Sequence, residues 1–372
     1  MTRALPPGPS FKSEWKRPFK EVVDEASHGL LMHVRARFER FGDIYYLQNY
    51  KTPVYVTKHP DHMHEVLVTK ASSFTKRSKD LDTFLGQGLL TSDGELWRSQ
   101  RRKIQPAFSK PNIVRASEVM VDHTQRMLQK WSGGDTRDLN REMMELTLSV
   151  VCKALLDYDA KEGANDVVAR AMHVLQSTAG LDVLPSWMPN PIAAHKKRAC
   201  RGLEELIYSI IDERTKTPGD DLVSQVLAEG MQRTLLRDEL VTLFLAGHET
   251  TALAMTWTFF LLAQNADKEA LLHEELDRVL QGRVPTYEDL VALPYTRAAV
   301  QESMRIFPPL YFLPRVAKED VEVGGYQIPA GGEVLNWLFF CHHDARWFPE
   351  PAMFRPERFL DGQEEMSTSP PA

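Results

Sequence analysis

The chain has 372 residues, enough for two average domains or one large mixed domain. Its 43% hydrophobic and 26% charged residues suit a folded globular protein, and a net charge of −6 argues against a nucleic-acid binder, which needs a basic excess. Cys152, Cys200 and Cys341 are scattered without a Cys-x-x-Cys pair, which argues against a disulfide framework or a structural zinc site and fits a cytoplasmic protein.

The start, Met1 to Pro9, is Pro-rich and lacks the apolar core of a signal peptide, and no long apolar run follows that could anchor the chain in a membrane. A helix is expected over Leu30 to Phe41. Asp43-Ile-Tyr-Tyr-Leu and Pro53-Val-Tyr-Val-Thr then read as a hairpin of β-formers. Pro60-Asp61 opens a helix reaching about Thr69. From Gly94 to Leu262 the pattern is almost wholly helical, broken at Ser132 to Asp135, Leu184 to Pro191 and Thr217 to Gly219.

Thr234 to Gln264 is the longest helical run, with Thr234 as its cap and Asp238 and Glu239 suiting its first turns. It is apolar around most of its circumference, which predicts a helix through the centre of the fold. Its Leu240–Leu262 window also holds His248, Glu249 and five threonines, which favour burial in protein over insertion in lipid. Helices follow at Asp267 to Leu280 and Tyr295 to Ile306, then a hairpin over Val321 to Ile328 and an irregular, Pro-rich meander from Trp347 to Phe359. The expected fold is mainly α with a small β region, in a single domain.

Three constellations carry chemistry. Glu302 and Arg305 share one helix face, as either a surface ion pair or, with Arg358 folded back from the meander, a buried carboxylate held by two guanidiniums. Ala246-Gly247 interrupts a long helix, where Gly costs about 1 kcal/mol against Ala. Either two helices pack closely there or a flat cofactor approaches the backbone, with Glu249 and Thr250 available as a proton relay. Trp97 and Arg101, four apart on a helix, could clamp a carboxylate-bearing ligand or simply stack. The basic run Arg101-Arg-Lys103 reads as a solvated face or a docking patch.

Taken in order, these motifs resemble the cytochrome P450 family of haem-thiolate monooxygenases. Leu89 to Ser109 is similar to the family's C-helix stretch, and Ala246-Gly-His-Glu-Thr-Thr251 to its oxygen-binding segment. Glu302-x-x-Arg305 with Arg358 resembles the Glu-Arg-Arg triad. The resemblance implies a P450 fold and haem b, with Trp97, Arg101 and Arg315 on its propionates and Ala246 and Gly247 against its face. It implies that Thr250 holds oxygen, that Glu249 passes protons and that a cysteine thiolate binds the iron. A separate ferredoxin or flavin reductase would supply electrons, and a lipophilic fatty-acid-like or terpenoid-like molecule would be hydroxylated by a soluble monomer. The loops around Phe74 to Leu90 and Leu175 to Met188 are the expected pocket walls.

The family's Phe-Gly-Gly-x-x-Arg-x-Cys-x-Gly loop is not found: no cysteine follows Cys341, which reads instead as a small packed hydrophobe. The expectation is a fold incomplete at its C-terminus, lacking the iron ligand and final helix, and inactive as it stands. A non-catalytic ligand-binding protein on the same scaffold is the alternative, and an isomerase or dehydratase a third; retention of Glu249 and Thr250 weighs against both.

Overall fold

The structure is a computed structural model and describes residues 5–9, 29–48, 53–76, 85–158, 171, 174, 191–219 and 221–360. The expected breaks at 184–190 and the loop at 175–188 lie outside the described residues. The helices in the first half are α1 (Leu30–Phe41), α2 (Pro60–His64), α3 (Gly94–Ile104), α4 (Lys110–Leu128) and α5 (Leu139–Leu156). They continue with α6 (Pro191–Lys216), α7 (Leu222–Ala228), α8 (Arg233–Gln264), α9 (Ala266–Leu280), α10 (Pro294–Ile306) and α11 (Leu338–His342). The strands are β1 (Ile44–Gln48), β2 (Pro53–Thr57), β3 (Phe74–Lys76), β4 (Leu313–Ala317), β5 (Val321–Val323), β6 (Tyr326–Ile328) and β7 (Glu333–Asn336). The fold is mainly helical with a small mixed sheet. Its described residues fall into two compact units, one from positions up to 77, 261–268 and 295 onward, the other from 78–260 and 269–294.

The first unit is built on a sheet of order β1-β2-β7-β4-β3, in which only β2 and β7 run parallel. β-branched and aromatic residues dominate these short strands, and Tyr55 and Val334, paired in register, are fully buried. α1 lays Val34 and Phe38 on this sheet, with Phe38 edge-on to Tyr45 at 5.1 Å. β5 and β6 form the expected second hairpin, turned by Gly324 and Gly325, both at positive φ. A two-residue turn of that kind matches the strand twist and favours glycine. The helix expected from Pro60 becomes a π turn over Glu65–Thr69.

The second unit is helical. α6 presents Leu203, Ile207, Ile210 and Ile211 to the core, a helical repeat that packs against Leu148 and Leu156 of α5 and Leu236, Leu240 and Phe244 of α8. Asp138 and Asp221 cap α5 and α7 by accepting from Arg141 N and Ser224 N at 3.1 and 3.0 Å.

α8 spans 32 residues and begins at Arg233, so Thr234 lies within its first turn and does not cap it. Nor is it buried on all sides: Ala246, Thr250, Thr251, Phe259 and Phe260 are exposed. Apolarity around the whole circumference therefore overstated its burial. Among the described residues, no helix is long and apolar enough to cross a membrane. Phe244 is 2% exposed within the second unit's core, so Phe244→Ala should lower stability by about 3–5 kcal/mol, read as an earlier urea-unfolding midpoint.

Candidate active site

Glu302 is fully buried on α10, and its partners account for both carboxylate oxygens. Arg305 donates to it bidentately, Nε to Oε2 at 2.7 Å and Nη2 to Oε1 at 2.8 Å. The backbone N of Arg355 and Nε of Arg358 donate to Oε1 at 3.0 and 3.3 Å. The remaining Arg305 donors reach backbone carbonyls: Nη1 bonds His342 O and Pro351 O at 2.8 and 2.9 Å, and Nη2 bonds Met353 O at 3.3 Å. Arg358 Nη2 bonds Glu350 O at 3.0 Å. Three side chains thereby pin a meander that has little regular hydrogen bonding of its own. Arg355 N and the meander carbonyls are members that residue spacing alone could not reveal, because they are main-chain groups.

His342 sits beside this cluster. Burial, aided by the Arg305 charge, pushes its imidazole down to about 4. Cys341 and Cys152 are buried free cysteines, and desolvation raises both thiols to about 12. The side chain of Cys200 lies outside the described residues.

In the second unit, α8 leaves Ala246 and Thr250 exposed one turn apart, and Thr250 Oγ1 donates to Ala246 O at 2.6 Å. Glu249 is half-buried, not enclosed as the helix pattern implied. Gly247 faces another way: a Cβ there would stand 2.9 Å from Val151 Cγ2 on α5, so close helix packing accounts for the glycine. Gly247 and Thr251 also border an apolar cavity of about 680 Å³ lined largely by α4 and α5. His248 is buried, its carbonyl accepting from Thr147 Oγ1 at 3.0 Å, and desolvation holds its imidazole below the ordinary value.

On α3, the Arg101 guanidinium lies 5.1 Å from the centre of the Trp97 ring; Trp97 is half-buried and Arg101 exposed. Arg102 is exposed, whereas Lys103 donates to Glu229 O at 2.6 Å, so the basic run is not wholly solvated. Arg315, in β4 of the first unit, is half-buried and donates to Pro314 O at 2.8 Å. The geometry thus joins Glu302, Arg305 and Arg358 into one cluster, stacks Arg101 on Trp97, and opens Ala246 and Thr250 on one face.

A family model described as Cytochrome P450 matches residues 15–372. The chain belongs to the cytochrome P450 family. It is therefore an oxidoreductase by family. A cyclooctat-9-en-7-ol 5-monooxygenase of Streptomyces melanosporofaciens is 31% identical over 93% of this P450 and 76% of its own length. The cyclooctatin synthase of the same organism is 34% identical over 90% of the chain and 78% of its own length. A solved cyanobacterial P450 with retinoic acid bound superposes with a TM-score of 0.83 at 22% identity, covering 100% of this chain and 85% of that one, which supports the fold alone.

Replacing Glu302 with Ala would strand Arg305 and Arg358 in a buried site. Glu302→Ala should cost about 3–5 kcal/mol in denaturant unfolding, whereas an exposed ion pair would cost under about 1. His342 predicts a pH dependence. Its folded value lies below its unfolded value near 6.5, so its neutral form contributes stability that is full above about 6.5 and is lost as pH falls toward about 4. His342→Gln should flatten the unfolding midpoint over that window.

Proposed function

We propose that this P450 is a haem-dependent monooxygenase that hydroxylates a lipophilic fatty-acid-like or terpenoid-like molecule. Oxygen and electrons from a separate ferredoxin or flavin reductase would complete the reaction. The observation that carries this reading is the open Ala246–Thr250 face beside half-buried Glu249, within a chain of this family. Support for a terpenoid-like substrate comes from the printed names of relatives, which include a cyclooctat-9-en-7-ol monooxygenase and a pentalenene oxygenase.

The residues suit part of haem b. Ala246 leaves room for a flat ring against α8, whereas Gly247 faces Val151 and takes no part in it. Trp97 and Arg101 would supply donors and positive charge for its carboxylates. When bound, haem would supply the oxygen chemistry, so that one oxygen atom enters a C–H bond and the other leaves as water, with two electrons and two protons taken up. This chain's residues would position and protonate. The Thr250 hydroxyl, now spent on Ala246 O, would turn to donate toward oxygen, and Glu249, open to solvent on one side, would reload it through water. Neither Cys152 nor Cys341 suits the iron: each is 5% exposed or less, and its thiol is protonated at neutral pH.

Two measurements test this reading. In a reduced carbon-monoxide difference spectrum of this chain with haem supplied, no red-shifted thiolate Soret band is expected; its appearance would make one of the three cysteines the ligand. In a chain extended with the family's cysteine-bearing loop and supplied with haem, reductase and oxygen, Thr250→Ala should cut product formed per reducing equivalent by about tenfold or more while peroxide rises. Unchanged coupling would remove Thr250 from proton delivery, and absence of any product would overturn the monooxygenase reading.

A further inference from the structure

Glycines 86 and 88 bring the backbone of residues 85–91 directly onto α8. Gly86 has φ +61°, and a Cβ there would stand 2.2 Å from the Asp238 carboxyl; one on Gly88 would stand 2.3 Å from Thr242 Oγ1. Between and beyond them, alternate amides point into consecutive carboxylates. Gln87 N donates to Asp238 Oδ2 at 2.8 Å and Leu89 N to Glu239 Oε2 at 2.9 Å. The segment is braced from behind: Gln100 Nε2 donates to Gln87 O at 2.6 Å, and Thr91 Oγ1 to Gly86 O at 2.7 Å.

This contact has a direction. Thr242, Ala246 and Thr250 succeed one another at intervals of four along one face of α8. The segment covers that face at Thr242, and the face opens at Ala246 and Thr250. One turn of helix, about 5–6 Å, separates the covered and open stretches. Leu90, which follows immediately after the latched amides, is 46% exposed. Helix-dipole complementarity, the reading that spacing alone supports for Asp238 and Glu239, leaves unexplained why two glycines and two amides converge on them.

We propose that Asp238 and Glu239 are positioning residues that latch residues 85–91 to α8 and thereby set the width of the compartment over Ala246 and Thr250. This selectivity role rests on the proposed function; the latch does not. Without an acceptor at position 238, the segment loses a charge-assisted bond and lifts from the helix, so broad ligands gain relative to narrow ones.

The test compares the wild-type chain of these 372 residues with Asp238→Ala and Asp238→Asn. Hydrogen exchange at the Gln87 amide should accelerate by about tenfold or more in D238A, with α8 peptides unchanged, and return toward wild type in D238N, which keeps an acceptor. Binding of dodecanoic acid and of abietic acid, a tricyclic diterpene acid, should shift toward abietic acid by about threefold or more in the ratio of Kd values, again only in D238A. Unchanged exchange in D238A overturns the latch. Faster exchange with an unchanged ratio overturns the selectivity role. A wild-type chain that binds neither acid overturns the lipophilic-ligand reading, and the selectivity role with it, while the exchange result still judges the latch.

Discussion

A carboxylate with no exposure to water is costly unless both oxygens accept hydrogen bonds, and Glu302 meets that condition with two guanidiniums and a backbone amide. The donors left over on Arg305 and Arg358 are spent on four carbonyls between His342 and Met353. The cluster therefore does for the meander what a ladder of hydrogen bonds does for a sheet. It fixes a Pro-interrupted stretch that cannot form regular structure, and it ties that stretch to the end of α10. Uncharged His342 belongs to the same economy, since a second positive charge beside Arg305 in a dry site would have no partner.

The second unit solves a different problem. Most of α8 is held by apolar packing against α5, α6 and α7, yet one short face, at Ala246 and Thr250, stays open. Two kinds of glycine serve that arrangement. Gly247 admits Val151 of the neighbouring helix, while Gly86 and Gly88 admit the backbone of a preceding loop. Close approach by helix on one side and by loop on another leaves Ala246 and Thr250 as the accessible strip. Stability and accessibility are thus assigned to different faces of one helix.

Much of this was legible in the residues. The bounds of α1, the first and second hairpins and the long central helix follow from propensity and period, because each is a local property of its segment. The Glu302–Arg305 pairing is likewise local, being three residues apart on a helix. β3, β4 and β7 were not legible as strands: each is three to five residues long and gains its identity only from partners far away in sequence, as Glu333 of β7 does from Val54 of β2. The degree of burial was not legible either. Glu249 and the Ala246–Thr250 strip lie within an apolar run, but exposure depends on which neighbours arrive.

The sequence by itself determined the family and the helical character, since motif order and periodicity are properties of a string. Tertiary structure alone decided which reading of each motif holds. It turned an i, i+3 ion pair into a fully buried clamp by bringing residues 355 and 358 onto it. It set Gly247 against Val151 and turned Asp238 and Glu239 from helix-end charges into acceptors for a loop some 150 residues earlier. The physical reason is common to all three. A hydrogen bond or close contact between distant residues depends on the path of the chain between them, and no local pattern encodes that path.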